Sequence, residues 1–318
     1  MTTYILFIIG FLLLIKGADL LVDGSASIAK KLKISSIVIG LTIVAFGTSA
    51  PELIVSIFAS VQGNSEIAIG NILGSNIANI LLILGISAII YPITAKRNTI
   101  LKEIPLSLLA IIVLGLMAND MLIDGTSFSG ITRIDGFILL AFFIIFLYYI
   151  FGIAKSDEST AEEEIKVLSN SKSAIFIILG LVSLTIGGKW IVDGAVQIAE
   201  FFGVSQSLIG LTIVAVGTSL PELATSAMAA YKKQSDIAIG NIVGSNIFNI
   251  FWILGLSAII RPLPFDPSAN SDIAMVIFAS VILFSVMFIG KKRVIETWQG
   301  ALMVASYIAY VVFLVLTK

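Results

Sequence analysis

Glu52 and Glu222 each close the same short stretch, Gly47-Thr48-Ser49-Ala50-Pro51-Glu52 and Gly217-Thr218-Ser219-Leu220-Pro221-Glu222, inside apolar runs of helical length. Proline removes a backbone N–H, and its ring clashes with the carbonyl four residues back, here Gly47 or Gly217. The spacing therefore predicts carbonyl oxygens around Ala45 to Gly47, and around Ala215 to Gly217, that lack helical partners. In hydrocarbon such oxygens must be satisfied by protein, water or a bound ion. A carboxylate at that depth costs a further 2.5–3.5 kcal/mol or so. One such interruption could kink a helix. The same residues twice describe a cation site.

The residue types around the pair say which cation. Two carboxylates within a few ångströms repel strongly unless a cation lies between them, and a divalent ion neutralises both. Calcium takes about six to eight oxygens at 2.3–2.6 Å, more than two carboxylates supply. Thr48 and Thr218 lie one helical turn before their glutamates, so their hydroxyls can share that face. The carbonyls of Ala45 and Ala215 and the hydroxyls of Ser49 and Ser219 add oxygens. Downstream stand Gly70-Asn71…Gly74-Ser75-Asn76…Asn79 and Gly240-Asn241…Gly244-Ser245-Asn246…Asn249. Ser75 and Asn79 share a helix face, as do Ser245 and Asn249, and their recurrence beside both glutamate motifs favours ion contact. Gly70, Gly74, Gly240 and Gly244 read instead as packing residues that let helices approach closely.

Composition agrees with an oxygen-lined site in a membrane. The 318 residues are 58% hydrophobic and 12% charged, with a mean hydropathy of +1.08 and repeated apolar runs of helical length. These are the marks of a polytopic α-helical membrane protein rather than a soluble enzyme or a β-barrel. There is no Cys and no His, which excludes disulfides, thiolate sites and the commonest transition-metal ligand. Hard cations such as sodium, calcium or magnesium are left. A net charge of −1 without a basic stripe gives no sign of nucleic-acid binding, and no cofactor is expected.

Ten spans are needed to position these residues. The first runs from about Tyr4 into the Asp19–Ala29 region, and although it could be taken for a signal sequence, its second-half counterpart makes it structural. The second covers about Ser36–Val61, the third Ile67–Ile90, the fourth Ile104–Met117 and the fifth Ile134–Ile153. Spans six to ten lie at about 174–200, 206–231, 236–260, 270–289 and 296–316. Residues 154–173 are polar and acidic without an EF-hand pattern, and read as a linker. Asp23 and Asp193 read as capping or interfacial pairing groups near span ends, and Lys16 with Asp19 as a pair along one helix.

An offset of 170 residues relates Glu52 to Glu222, Asn71 to Asn241, Ser75 to Ser245, Asn79 to Asn249 and Asp23 to Asp193. Between Gly40 and Ile90 roughly two thirds of positions match their counterparts. Five spans per half is an odd number, so the second half enters the bilayer inverted. The basic clusters Lys30–Lys33, Lys96–Lys102, Lys155–Lys172, Lys232–Lys233 and Lys291–Arg293 fall on one set of alternate loops, against Arg133, Arg261 and Lys318 on the other. The positive-inside rule then puts the linker in the cytoplasm and both termini outside. The expectation is an all-α integral membrane protein of the cell membrane. It has ten transmembrane helices in two inverted five-helix repeats (residues 1–153 and 174–318), with helices 2, 3, 7 and 8 broken.

Gly-Thr-Ser-x-Pro-Glu in both halves, each followed by Gly-Asn-x-x-Gly-Ser-Asn, resembles the paired α-repeats of the sodium/calcium exchanger family. The resemblance covers nearly the whole chain and implies ion sites between helices 2, 3, 7 and 8. It implies calcium held by Thr48, Glu52, Thr218 and Glu222, with sodium at Ala45, Ser49 and Ser75 on one side and Ala215, Ser219 and Ser245 on the other. Some relatives, including potassium-dependent ones, carry Asp at the position of Asn249. Here Asn79 and Asn249 are both amides, which argues against potassium dependence. The linker is too short for a large regulatory domain.

These readings converge on sodium/calcium antiport by alternating access, with calcium and sodium as the partners and one chain sufficient for a site. Proton/calcium antiport is the nearest rival, because Glu can carry protons. A cation channel with a carboxylate constriction is a further rival. An intramembrane enzyme lacks any His, Cys or Ser-base arrangement.

Overall fold

A computed structural model of the chain describes residues 2–125, 128–156, 167–202 and 215–317. Among these, eight helices are long and apolar enough to cross a membrane, or nine when the bent pair Ser36–Thr48 and Ala50–Gln62 counts as one span. Of the seventh expected span, Ala215–Gly217 and Leu220–Tyr231 are described and residues 206–214 lie outside the described residues. Linker residues 157–166 also lie outside them. The chain is an integral membrane protein. Ser65–Ile90 and Ser235–Ile260 form its centre, 78% and 83% buried over their most apolar windows, against 17% for Thr297–Leu316 at the periphery.

The first helix of each half is long: Thr2–Leu32, 31 residues, and Asn170–Phe201, 32 residues. They pack antiparallel along a seam of glycines seven apart. A Cβ on Gly10 would sit 2.9 Å from the Gly187 carbonyl oxygen, one on Gly17 2.9 Å from that of Gly180, and one on Gly24 2.9 Å from that of Ser173. Only residues without side chains permit that approach. Lys232, just after the helix Leu220–Tyr231, reaches Asp19 and Asp23 of the first helix at 2.6 Å each, and Lys189 pairs with Asp193 at 2.9 Å. Lys16 and Asp19 stand 4.0 Å apart at the surface. The two repeated aspartates are thus ion-pairing groups.

The helix around each proline is interrupted at the serine. Ser49 (φ −79, ψ 9) and Ser219 (φ −88, ψ 9) leave the helical conformation, and Ala50–Gln62 bends away from Ser36–Thr48 by 48°. Pro51 and Pro221 then lie in the first turn of a new helical piece, where a missing N–H costs nothing. Glu52 and Glu222 occupy the same first turn, at the end of the helix that favours negative charge.

The expectation of breaks in the third and eighth spans is corrected. Ser65–Ile90 and Ser235–Ile260 each run unbroken for 26 residues. Their polar Gly, Ser and Asn residues keep every backbone N–H, so the ladder shifts register instead of ending. Ala78–Ile83 and Phe248–Leu254 are π-helical, and Asn79 and Asn249 lie at matching places in them.

Contacts between connecting segments sort them into two groups. In one, Ile93–Thr94 pairs antiparallel with Val294–Ile295, Lys96 bridges Asp236 at 2.9 Å, and Lys31 donates to Asn170 at 2.9 Å. In the other, Gly130–Ile131 pairs with Leu263–Pro264, Asn119 and Asn270 exchange amide hydrogen bonds at 2.8 Å, and Arg133 donates to the Ile259 carbonyl. The loops joined in each group are the ones that alternate counting of ten spans puts on a common side.

Candidate ion-binding site

The serines at the two helix breaks reach across the boundary between halves. Ser49 Oγ donates to Glu222 Oε1 at 3.0 Å, and Ser219 Oγ donates to Glu52 Oε1 at 3.1 Å. Each glutamate also receives a hydroxyl from the central helix of its own half, Ser75 to Glu52 Oε1 at 3.2 Å and Ser245 to Glu222 Oε1 at 3.4 Å. One oxygen of each carboxylate therefore takes two donors. The other oxygen, Glu52 Oε2 or Glu222 Oε2, is buried and accepts no hydrogen bond. Neither carboxylate has a cationic side-chain partner among the described residues. Burying a carboxylate without compensation is costly, and the bare oxygens on both are groups that could hold a cation.

The amides of the central helices form a second crossed layer. Asn79 Nδ2 donates to Asn246 Oδ1 at 3.0 Å, and Asn249 Nδ2 donates to Asn76 Oδ1 at 2.9 Å. Asn79 Oδ1 and Asn249 Oδ1 are buried with no donor, which adds two more bare oxygens. Asn76 Nδ2 donates to the Asn246 carbonyl at 3.4 Å, whereas Asn246 Nδ2 finds no acceptor. Four buried oxygens without hydrogen bonds, two of them from carboxyl groups, are of the kind a hard cation takes, without nitrogen or sulfur. Among the described residues no cluster of three or more acidic, His or Cys side chains exists, so the two glutamates supply the formal charge.

Thr48 and Thr218, just before the interruptions, reach the central helices of the opposite half. Thr48 Oγ1 donates to Asn241 Oδ1 at 3.0 Å, and Thr218 Oγ1 donates to Asn71 Oδ1 at 3.4 Å. The carbonyl expected to be free at Ala45 is not orphaned: it accepts from the Ser49 N–H at 3.0 Å and lies 3.4 Å from Thr48 Oγ1. Proline deletes the donor to Gly47, two residues further on, so the turn Ala45–Ser49 keeps its α-helical bond. In the second half Ser219 N–H turns to Val216 instead. The backbone of Ala215 opens the short helix Ala215–Gly217, and its side chain lies outside the described residues.

Gly240 and Gly244 are packing positions, as expected. A Cβ on Gly240 would lie 3.0 Å from the Ile37 carbonyl and 3.1 Å from Gly40 Cα, and one on Gly244 2.9 Å from Leu41 Cα. The matching neighbours of Gly70 and Gly74, around 210 and 211, lie outside the described residues. Residues that sequence reasoning passed over are Asn76 and Asn246, which complete the amide layer, and Ser56 and Ser226, which hold Asn71 and Asn241. The offset of 170 marks all of them, but nothing in a single helix period tells which residue of the opposite half they meet.

A family model described as sodium/calcium exchanger protein matches residues 2–152 and 172–316. The putative antiporter CaxA of Alkalimonas amylolytica is 40% identical, the match covering 95% of this chain and 95% of that protein. The sodium/calcium exchanger MaX1 of Methanosarcina acetivorans is 33% identical over 98% of each. Among solved structures, that of the sodium-calcium exchanger NCX_Mj matches with a TM-score of 0.83 and 36% identity over 98% of both chains.

Proposed function

The chain belongs to the sodium/calcium exchanger protein family, and from that premise we propose that it exchanges sodium for calcium across the cell membrane by alternating access. It is a transporter of the cation/calcium antiporter kind, so ions are cargo and no covalent chemistry is involved. The observation that carries the finer reading is the pair Glu52 and Glu222, each with one oxygen bonded across the halves and the other bare. In this reading Thr48, Glu52, Thr218 and Glu222 hold calcium. Ala45, Ser49 and Ser75, and Ala215, Ser219 and Ser245, hold sodium on either side, and Asn79 and Asn249 line the central layer.

The proposed architecture is ten spans in two inverted repeats, residues 1–153 and 174–318, joined by a linker at 154–173. The basic loops favour a cytoplasmic linker and both termini outside. The unbroken central helices and the two interrupted ones are the fixed core of this reading. The long first and sixth spans, joined along their glycine seam, slide over it as one body. A single chain contains the whole site, and exchange is electrogenic and independent of potassium.

The test is calcium flux into sealed proteoliposomes under imposed gradients of sodium, protons or potassium, one at a time. Uptake driven by an outward sodium gradient alone is expected. Uptake driven only by a proton gradient would replace this reading with proton/calcium antiport, and downhill flux indifferent to any counter-ion would make the protein a channel.

A further inference from the structure

Lys232 ties the interrupted helix of the second half to the long first helix. It follows the helix Leu220–Tyr231, its N–H bonded to the Met228 carbonyl at 2.9 Å, and the chain turns sharply at Lys233, whose φ of 60 is left-handed. With the backbone held there, the side chain reaches across to Thr2–Leu32. Its Nζ lies 2.6 Å from Asp19 Oδ1, 2.6 Å from Asp23 Oδ1 and 3.2 Å from the Asp19 carbonyl oxygen. An ammonium group has three hydrogens, and each has an acceptor here. The side chain is 20% exposed, against 72% for Lys189, so it is enclosed between the two helices and not a solvated surface charge. Lys16 stands beside Asp19 on the outer face, 4.0 Å away.

The repeat does not reproduce this bridge at the other end. The offset of 170 residues pairs Lys232 with Gln62, Asp19 with Lys189 and Asp23 with Asp193. Gln62 is exposed and uncharged, and Lys189 bonds Asp193 within its own helix at 2.9 Å. Lys232 belongs to the end where the basic loops gather: Lys233 Nζ lies 5.8 Å from the centre of the Tyr91 ring, and Lys96 bridges Asp236 at 2.9 Å. Asp19 and Asp23 are one helical turn apart, about 5.4 Å along the axis, with the ammonium between them. A slide of the first helix along its axis therefore lengthens the bond to one aspartate, and the three-way contact cannot survive it. We propose that Lys232, Asp19 and Asp23 form a latch that closes the basic-loop end of the path between the sliding helices and the core. It opens each time the site is exposed at that end, and without a counterpart at the other end it weights the two facing states unequally. This rests on the alternating-access reading.

The experiment uses the absence of cysteine from the chain. Thr225 lies two turns before Lys232 on the same helix face, and is fully buried with an unbonded hydroxyl, so Thr225→Cys places a thiol behind the latch. The full chain in nanodiscs is treated with a charged maleimide, and the rate of labelling is measured. Lys232→Gln, and Asp19→Asn combined with Asp23→Asn, are expected to raise that rate about fivefold, the scale of a partly exposed ion pair. Lys232→Arg, which keeps the charge, and Lys189→Gln, which breaks only the pair within one helix, should stay within about twofold of the parent. An unchanged rate in Lys232→Gln, or an equal rise in Lys189→Gln, would overturn the latch. If Thr225→Cys does not fold, Met228→Cys, one turn before Lys232 and half-buried, is the probe under the same criteria. Labelling needs no ion gradient. A wild-type protein without sodium-driven calcium flux would therefore sink the exchange reading, while these rates judge the latch separately.

Discussion

Ser49 of the first half donates its hydroxyl to Glu222 of the second at 3.0 Å, so each carboxylate is oriented partly by the half that does not contain it. The reciprocal bond from Ser219 to Glu52 makes the two glutamates one unit. Neutralising either should therefore disable the whole centre. Glu52→Gln keeps the size of the side chain and an acceptor for Ser219 and Ser75, but removes a charge from the buried pair. Breaking a buried charge pairing costs about 3–5 kcal/mol, whereas the neutral side chain is easier to hold in lipid. Calcium exchange is expected to fall more than a hundredfold while the purified protein stays monodisperse. Near-normal calcium uptake by well-folded Glu52→Gln protein would remove Glu52 from the site.

The meeting of the two glutamate motifs is legible in the sequence, for a physical reason. Pro and Glu are costly in hydrocarbon, so their repetition at one offset singles out the two stretches, and an inverted repeat would bring Glu52 and Glu222 together. The continuity of the third and eighth spans was not readable, because Gly, Ser and Asn permit either a break or a π-helical shift. Nor was the partner of Thr48. Helical periodicity places Thr48 on the face of Glu52, but its hydroxyl turns to Asn241, a contact that only the packing of one half on the other creates. The carbonyl of Ala45 was read as freed by Pro51, yet proline withdraws its donor from Gly47, and Ala45 keeps the Ser49 N–H.

The glycine seam between the two long helices sets a steric prediction. At Gly17 an added Cβ would meet the Gly180 carbonyl and Ser183 Cβ, each at 2.9 Å, and neither is the end of a flexible side chain. Gly17→Val forces the helices apart, and overpacking of this kind costs about 1–3 kcal/mol. The variant should melt at a lower temperature than wild type in the same detergent, followed by size-exclusion chromatography of heated samples. An unchanged melting temperature would show that the seam is not a tight contact.

Shortening the linker should be tolerated. Residues 157–164 are polar, acidic and without helical periodicity, and the proposed ligands all lie in the segments on either side. Deleting a few residues between Asp157 and Glu164 is expected to leave sodium-driven calcium uptake within about twofold of wild type, since extra loop length contributes little to closure entropy. Loss of exchange in a deletion variant that still purifies as folded protein would assign the linker a gating role.

The last prediction follows from the amides at positions 79 and 249. With neutral side chains there, the centre has the two charges of Glu52 and Glu222, which one calcium ion balances. In the proposed exchange, three sodium ions set against the same charges would leave one positive charge, and that charge would cross with the sodium-loaded form. Each elementary charge moved feels about 2.3 kcal/mol per 100 mV, so an inside-negative potential should draw sodium in and drive calcium out. Calcium-for-calcium exchange, by contrast, moves a neutral centre and should ignore voltage. Asn249→Asp adds a carboxylate, after which the sodium-loaded centre is neutral and the calcium-loaded one is charged. In that variant calcium-for-calcium exchange should become voltage-sensitive. The measurement is tracer calcium flux in proteoliposomes held at several potentials by an ionophore, with and without potassium on either side. Sodium-driven flux indifferent to voltage would refute the charge count. A requirement for potassium in the wild-type protein would refute the role given to Asn249.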